Sequence, residues 1–580
     1  MAISLGQFVL ALDGSALPDR AQIGGKAWSV ARMQSLGLPV PPAVVVTTDA
    51  CRAYLEAGHF PDGLDAELDA AVAWLEQATG RTLGGSDKPL LVSVRSGAAI
   101  SMPGMMDTVL NLGIDATTEA ALAAESGDAR FARDTHRRFL ELYAAIVLKA
   151  TLDASDDPQA ILGAIEAQGL SVPATPREQL RAAVEAVFAS WNSRRAKRYR
   201  KHHDIPDTLG TAVTVQAMVF GNLDDASGTG VLFSRNPLTG DPAPYGEYLH
   251  RAQGEDVVSG RFTPEPLSAL EQAHPELHAE LMAAAAKLEA ENGDVQDIEF
   301  TVQQGKLFLL QSRSAKRAPQ AAVRFAVDMV EEGRIDADTA IARVSAEQVR
   351  SLLKPRLVDG ATDDAPVLAR GEVACQGVGV GVVVTDSDEA ERRHAAGEAV
   401  VLARATTSPE DVHGMIAAVA VVTEQGGSTS HAAVVGRALG VPCLVGCGDA
   451  SVTTLAGQTV TVDANAGVVY AGALAVETPR EEDDPRLARL TAWATERAPL
   501  AVLDENAAEA AGAHDLDHVD GAEDPERLPA LLTGHACVRG GAIESDAGVA
   551  AALAAGVGTI VARHPLPVLL AAIQARAGTA

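Results

Sequence analysis

Short apolar runs of strand length alternate with amphipathic stretches from residue 3 to about residue 317. Residues 90–94 and 307–310 show the strand pattern, and residues 131–147 repeat apolar side chains at helical spacing. Such alternation predicts a mixed α/β architecture. We assign residues 1–320 to one domain, with a helical insertion at about residues 115–205.

After this domain the sequence becomes more charged and its pattern becomes helical. Residues 321–357 predict a charged helical connector, which stops at Lys354-Pro355. Residues 358–478 predict a second α/β domain, which ends at the acidic run 479–485. Its short strands are expected at residues 379–384, 399–402, 417–422 and 459–463.

The remainder, residues 486–580, is rich in alanine and again alternates strands with helices. Strands are expected at residues 500–503 and 559–562. The pattern predicts a small C-terminal α/β unit, either a domain of its own or a fragment of a larger barrel.

Composition favours a multidomain protein outside the membrane. The chain has 580 residues, and no window approaches the roughly 18 apolar residues that a membrane span needs. The N-terminus lacks the basic region of a secretory signal, so we expect a cytoplasmic protein. A net charge of −30 repels phosphate backbones and anionic lipids, and neither nucleic acid nor membrane is expected as a partner. We interpret the basic run at residues 194–203 as a solvated helix face.

The five cysteines are too few and too irregular for a disulfide framework in a chain of this length. Cys443 and Cys447 have CxxxC spacing without a matching pair, which favours buried thiols over a metal site.

The most informative segment is AVAVVTEQGGSTSHAAVVGRALGVPCLVG, residues 418–446. An apolar strand turns at Gly426-Gly427 and leads through three hydroxyl residues into a helix whose first turn holds His431. A neutral imidazole can take and return a phosphoryl group, and the helix N-terminus suits the dianion that results. The alternative is an exposed histidine at an ordinary helix start.

Two further segments have the character of a phosphate and metal site, although no Walker A sequence is present. In residues 92–113 a strand delivers Arg95 to a flexible loop that includes Pro103 and Gly104. Residues 295–313 predict a hairpin in which Asp297 and Glu299 share one face, as two ligands of Mg²⁺ require. A three-residue loop, 304–306, would place Glu299 opposite Gln311 and Asp297 opposite Arg313. A surface hairpin with solvated charges is the alternative.

Long stretches of this sequence resemble the pyruvate phosphate dikinase family of PEP-utilising enzymes. Besides the segments above, the resemblance rests on IGGK (23–26), RFARDTHRRFLELY (130–143), VQAMVFGNLDDASGTGVLFSRNPLTGD (215–241), GEYLHRAQGEDVVSG (246–260) and TTSPEDVHGM (406–415). It spans roughly residues 5–475 and implies an ATP-grasp nucleotide-binding domain followed by a swivelling phosphohistidine domain.

The resemblance implies roles for the matching side chains. His431 would carry the phosphoryl group beside Thr429 and Ser430, and Arg95 and Arg313 would act on the reacting phosphates. The binding residues implied are Lys26, Arg95 and Arg313 with Gln311 for the nucleotide phosphates, Asp297 and Glu299 for Mg²⁺, Met218 and Val219 for adenine, Glu255 and Asp256 on the same wall, and Arg138 for inorganic phosphate. Ser428 stands where that family commonly has methionine, which we expect to alter packing near the histidine.

In that family ATP and phosphate yield AMP, pyrophosphate and phosphohistidine, and the histidine then donates to pyruvate in a (β/α)₈ barrel. Such a barrel needs about 200 residues or more, which residues 486–580 cannot supply. We therefore expect a phosphotransferase whose first half-reaction is intact and whose small-molecule acceptor need not be pyruvate. Two alternatives stay open: a phosphocarrier whose barrel is a separate subunit, and a non-catalytic regulator that responds to ATP.

Overall fold

The computed structural model describes residues 3–578 except 101, 103–104, 259–261, 354–355, 359, 440, 478, 517–518, 520, 523 and 525. Pro103 and Gly104 of the expected phosphate loop, and the expected helix stop at Lys354-Pro355, lie outside the described residues. Among the helices that are described, none combines the length and the apolar character needed to cross a membrane.

A six-stranded sheet forms the first layer of the N-terminal domain. In spatial order its strands are Ile3–Ser4, Val9–Leu12, Ala43–Val46, Ala212–Ala217, Val92–Gly97 and Thr108–Leu112. All four residues of Ala43–Val46 are buried, which explains why this strand is an uninterrupted apolar run. A short parallel pair, Thr82–Leu83 and Pro89–Leu90, lies apart from the sheet.

Helices surround this sheet. They are Arg20–Ser35, Thr48–Ala57, Leu64–Thr79, Ala116–Ser126, Ala129–Tyr143, Pro158–Glu166, Pro176–Ser190 and Arg194–His202. The helix predicted within residues 131–147 is confirmed, and it continues through a π-helical turn at Ala144–Leu148. Its buried face, including Phe139 and Tyr143, contributes to the largest hydrophobic core cluster.

A five-stranded antiparallel sheet forms the second layer of the N-terminal domain. Its strands, in spatial order, are Glu265–Pro266, Tyr245–His250, Gly228–Phe233, Gln296–Gln303 and Lys306–Ser314. The helices Gly254–Val258, Ser268–Ala273 and Pro275–Asn292 belong to this half.

The predicted hairpin is present, but its turn differs from the prediction. Gln303 pairs with Lys306, so the loop has two residues, and both Gln304 and Gly305 have positive φ. Glu299 nevertheless lies opposite Gln311, because a bulge on the second strand inserts one residue at this point. The two deviations compensate, and the predicted pairing of the site residues is confirmed.

An eight-stranded mixed sheet forms the second domain, which we call the mobile domain because the resemblance described above implies that it swivels. Its strands, in spatial order, are Val367–Arg370, Val468–Ala471, Thr459–Asp463, Val378–Val384, Val400–Arg404, Ala420–Thr423, Cys443–Val445 and Glu372–Cys375. Its α-helices are Ser387–Ala395, Val412–Ala417 and His431–Leu439. Each of the four predicted strands has a counterpart here, with ends shifted by up to three residues. All five cysteines of the chain are free thiols, as expected.

A two-stranded ribbon connects the mobile domain to the rest of the chain. Arg356–Leu357, before the domain, pairs antiparallel with Val476–Glu477, after it. The segments through which the chain enters and leaves the mobile domain therefore lie side by side.

The connector and the C-terminal unit share one hydrophobic core, although the sequence pattern predicts two separate units. The connector helices are Pro319–Glu331, Ala337–Ala342 and Ala346–Leu352. The C-terminal helices are Pro485–Thr495, Leu528–Leu531, Asp546–Ala554 and Pro565–Gly578. Val323, Ile341 and Val349 of the connector belong to the same buried cluster as Leu490 and Leu570 of the C-terminal unit.

The C-terminal sheet is parallel, with the spatial order Ala501–Asp504, Thr559–Ala562, Cys537–Arg539, His514–Asp515. Its first strand pairs with its last, whereas consecutive strands are neighbours in a (β/α)₈ barrel. The described strands therefore form a small parallel α/β unit rather than the opening of a barrel in its usual strand order.

Candidate active site

A cavity of about 900 Å³ lies between the N-terminal and mobile domains. Side chains predicted to bind phosphate or Mg²⁺ line one wall, and the segments around the histidine line the other. The first group comprises Lys26, Arg95, Glu299, Gln311 and Arg313, and the second comprises Thr407, Ser408, Thr429 and His431. Residues up to 405 positions apart in the sequence thus meet around one cavity.

Lys26 reaches the cavity because the start of its helix is broken at a glycine. Gly24 has φ 74° and ψ 165°, and a Cβ there would lie 1.8 Å from the carbonyl oxygen of Gly97. The amide of Gly25 donates to the Ala98 carbonyl at 2.8 Å, which ties this turn to the strand of Arg95. Burial, and then the charge of Arg95, lowers the pKa of Lys26 to about 7.

Two carboxylates on the hairpin hold two of the arginines. Arg95 Nη2 donates to Glu299 Oε2 at 3.0 Å, and Arg313 Nε donates to Asp297 Oδ2 at 2.7 Å. Burial alone would raise the pKa of Glu299, but the positive charges of Arg95, Arg313 and Lys26 outweigh it and hold this pKa below its ordinary value. Glu299 is therefore an anion at neutral pH.

The same carboxylates fit a divalent cation. Glu299 lines the cavity, whereas Asp297 lies beneath Arg313 and is 2% exposed. Asp297 Oδ1 is buried and has no hydrogen-bond partner. A free carboxylate oxygen next to a second carboxylate that faces the cavity matches the oxygen ligands that Mg²⁺ prefers.

A smaller, more apolar cavity of about 280 Å³ adjoins the first, and Arg95, Thr108 and Glu299 line both. Met218, Val219 and Glu255 are on its wall. The amide of Met218 is already used, because it donates to the Leu91 carbonyl at 2.9 Å. A slot with both apolar and polar side chains that opens into a cationic cavity has the shape and charge to hold a nucleotide.

Arg138 supports this wall from behind. Its Nε donates to Asp134 at 2.8 Å, and its Nη1 donates to Glu255 at 2.9 Å and to Asp256 at 2.8 Å. Neither Arg138 nor Asp256 is among the described residues that line the two cavities. The geometry makes Arg138 a support for Glu255, and its contact with inorganic phosphate stays a prediction.

His431 begins the helix that faces the large cavity. The Thr407 hydroxyl oxygen lies 3.2 Å from Nδ1, while Nε2 is buried and has no hydrogen-bond partner. Burial lowers the pKa of His431 to about 4, against the opposing charge of Asp411. The imidazole is thus neutral at physiological pH, and the tautomer with its proton on Nδ1 leaves a lone pair on Nε2.

Asp411 fixes the loop that carries Thr407. This aspartate is 4% exposed, and its carboxylate accepts from the Ser408 amide and from the Ser387 hydroxyl, both at 2.8 Å. Thr407 lies within the TTSPEDVHGM segment, but the spacing of that segment did not indicate which of its residues would reach the imidazole.

A glutamate of the N-terminal domain binds the loop before the histidine. Glu247 is 8% exposed and accepts from the hydroxyls of Ser428, at 2.9 Å, and Thr429. The Tyr245 hydroxyl donates to Ser428 Oγ at 2.6 Å. Sequence reasoning missed Glu247 and expected only altered packing at Ser428. A carboxylate between the buried residues Gly246 and Tyr248 of its strand is the one local signal that could have revealed it.

Comparison with known proteins finds matches for both domains that border the large cavity. The family model described as "Pyruvate phosphate dikinase, AMP/ATP-binding domain" matches residues 20–71 and 55–278, and "PEP-utilising enzyme, mobile domain" matches residues 396–467. Pyruvate, phosphate dikinase of Rhizobium meliloti (strain 1021) is 42% identical over 535 residues, and that of Clostridium symbiosum is 40% identical over 515. Pyruvate, phosphate dikinase 2 of Zea mays is 46% identical over 452 residues.

These alignments cover most of this chain but only part of each relative. They include 83%, 82% and 73% of this chain, and 59%, 59% and 51% of the Rhizobium, Clostridium and Zea proteins respectively. The chain thus spans between half and three fifths of the length of these three relatives.

Proposed function

The chain belongs to the pyruvate phosphate dikinase family through its nucleotide-binding and mobile domains, and from that premise we propose that it transfers a phosphoryl group from ATP to His431. One observation carries the proposal: His431, with a free Nε2, lines the same cavity as Lys26, Arg95 and Arg313. A nucleophile that opposes three polyphosphate-binding cations is arranged for phosphoryl transfer.

ATP would occupy both cavities. The adenine would lie in the slot beside Met218 and Val219, and the ribose near Glu255. The polyphosphate would extend past Arg95 into the large cavity, towards Lys26 and Arg313. Mg²⁺ bound by Asp297 and Glu299 would neutralise part of the phosphate charge and act as a Lewis acid.

The transfer takes place in two successive displacements at phosphorus. The Nε2 lone pair of His431 forms a bond to the β-phosphorus, and the bond from that phosphorus to the α,β-bridging oxygen breaks, which releases AMP. The γ-phosphoryl group then passes from its β,γ-bridging oxygen to inorganic phosphate and forms pyrophosphate. His431 keeps one phosphoryl group, and Arg95 and Arg313 hold the negative charge that develops on the moving phosphates.

In a second half-reaction the phosphohistidine would donate to a small-molecule acceptor. The relatives' names specify pyruvate and phosphate for those proteins. For this chain we assign phosphate to the first half-reaction and leave the acceptor open to molecules other than pyruvate.

The test is to incubate the protein with Mg²⁺, phosphate and ATP labelled at the β-phosphorus. An acid-labile, alkali-stable adduct and an equal amount of AMP are expected. His431→Ala should abolish the adduct, and His394→Ala, which changes an exposed histidine of the same domain, should leave it unchanged. Label that persists in His431→Ala, or ATP consumption without any protein-bound label, would overturn the proposal.

A further inference from the structure

One carboxylate binds both hydroxyl groups that precede His431. Ser428 donates to Oε1 of Glu247, and Thr429 donates to Oε2. All three side chains are more than nine-tenths buried, and Ser428 has no exposed surface. Glu247 is in the N-terminal domain and the two hydroxyls are in the mobile domain, so this contact crosses between them.

The hydrogen count at Thr429 limits what its side chain can do. A hydroxyl group carries one hydrogen, so Thr429 can donate either to Glu247 or to a phosphoryl oxygen, but not to both. Thr429 lines the cavity beside His431, whereas Ser428 is not among the described lining residues. Thr429 must therefore release Glu247 before it can stabilise a phosphoryl group on His431.

That release costs less when Glu247 keeps another donor. Once Thr429 turns away, the donors left to this buried carboxylate are the hydroxyl and the backbone N–H of Ser428, and losing one of these two removes part of the compensation for burying the charge. Building on the function proposed above, we infer that Ser428 is a positioning residue, whose hydroxyl holds Glu247 and so frees Thr429 to bind the phosphoryl group. Methionine, which the resembling enzymes commonly have at this position, offers no such donor.

The backbone of this loop is held independently of the Ser428 hydroxyl. Arg437 Nη1 donates to the Ser428 carbonyl at 2.8 Å, and Gly427 packs so closely on Glu247 that a Cβ there would lie 2.9 Å from Oε1. Loss of the hydroxyl should therefore leave the course of the loop intact and act through Glu247.

The test is a double-mutant cycle on the full chain, read as the single-turnover rate of His431 phosphorylation at saturating nucleotide. Thr429→Val should slow the parent protein roughly tenfold or more, the worth of a hydrogen bond to a charged group. In a Ser428→Ala background the same change should cost less, roughly threefold, because Thr429 is already committed to Glu247. Ser428→Ala and Ser428→Met, which both lack the hydroxyl, should phosphorylate His431 more slowly than the parent protein and at similar rates. Ser428→Thr, which keeps a hydroxyl, should have the parental rate.

Thr454→Val is the matched control, because it removes the hydroxyl of an exposed threonine of the mobile domain, which donates to the Ala450 carbonyl at 3.0 Å, and it should change the rate by less than about twofold. The dissociation constant for the nucleotide should stay within about twofold in every variant, since its binding residues are untouched. Independent, multiplicative effects of the changes at residues 428 and 429 would overturn the inference while leaving the proposed function standing. A parent protein that forms no phosphohistidine would overturn both.

Discussion

Thr407 lies in a loop of the mobile domain and His431 begins one of its helices, yet the hydroxyl oxygen of Thr407 lies 3.2 Å from Nδ1 of His431. A hydroxyl can donate or accept, and in the tautomer in which the Thr407 oxygen accepts from Nδ1–H, Nε2 is unprotonated and keeps its lone pair. The reactivity of the histidine therefore depends on a neighbour 24 residues earlier in the chain.

Removing this contact should slow phosphorylation without weakening nucleotide binding. Thr407→Val keeps the shape of the side chain and loses the hydroxyl, and we expect the single-turnover rate to fall roughly three- to tenfold, the worth of one neutral hydrogen bond. Thr407→Ser should retain the parental rate. Equal losses in the two variants would show that the methyl group, and not the hydroxyl, matters.

The pH dependence of His431 phosphorylation should differ from that of an ordinary histidine. A pKa of about 4 keeps the imidazole neutral well below its usual titration range, so the nucleophile stays available as the pH falls. At saturating nucleotide the single-turnover rate should be flat from about pH 7.5 to about pH 5.5. A fall of about tenfold between pH 6.5 and 5.5 would contradict the lowered pKa.

Nucleotide affinity should decline as the pH rises above 7. Lys26, with a pKa of about 7, is charged below pH 7 and loses its proton above it, and a polyphosphate binds the charged form better. Without divalent cations, the dissociation constant should rise from pH 7 to 8.5 by up to roughly tenfold per pH unit. Lys26→Arg, which stays charged, should show a flat profile, and the same slope in that variant would assign the titration to another group.

The two hairpin carboxylates should determine the requirement for Mg²⁺. Asp297→Asn and Glu299→Gln should each raise the Mg²⁺ concentration that half-saturates phosphorylation by roughly tenfold or more. Glu291→Gln is the matched control, because Glu291 also pairs with an arginine at the cavity wall, Arg32, at 2.8 Å, but lies outside the proposed ligand set. An unchanged Mg²⁺ requirement in both hairpin variants would exclude these carboxylates as ligands.

Gly24, two residues before Lys26, should be essential to the stability of the N-terminal domain. In Gly24→Ala the new methyl group meets the Gly97 carbonyl, and the positive φ adds strain, so we expect a loss of roughly 2–4 kcal/mol of stability. Gly25→Ala is the control: its φ is not in the positive region, and the nearest atoms to its Cβ are 3.3–3.4 Å away. Thermal unfolding should show a midpoint several degrees lower for Gly24→Ala alone.

The hairpin shows how far local rules reach. Alternation of side chains placed Asp297 and Glu299 on one face, and a three-residue loop gave the correct partners. The loop in fact has two residues, and the bulge before Gln311 supplies the missing offset. A bulge depends on how the strand packs in its sheet, so the sequence pattern could not distinguish the two solutions.

Contacts between domains were beyond the reach of sequence reasoning. Glu247 meets Ser428 and Thr429 across 181 and 182 positions of the chain, and apart from the carboxylate in the middle of its strand no local pattern indicates that approach. The strand order of the C-terminal unit was missed for a similar reason. Only two of its four strands were expected, and the neighbours of each strand are decided by packing against the connector helices.

The ribbon of Arg356–Leu357 and Val476–Glu477 makes the mobile domain an inserted cassette. Its two ends lie one strand spacing apart, about 5 Å, so a short turn could join them. The cassette could then be excised as a closed phosphocarrier, and the host chain could be religated across the gap with its shared core of connector and C-terminal helices undisturbed. The carrier and the nucleotide site would then be separate molecules. Phosphoryl transfer between them would be a bimolecular reaction, whose rate could be measured as a function of carrier concentration.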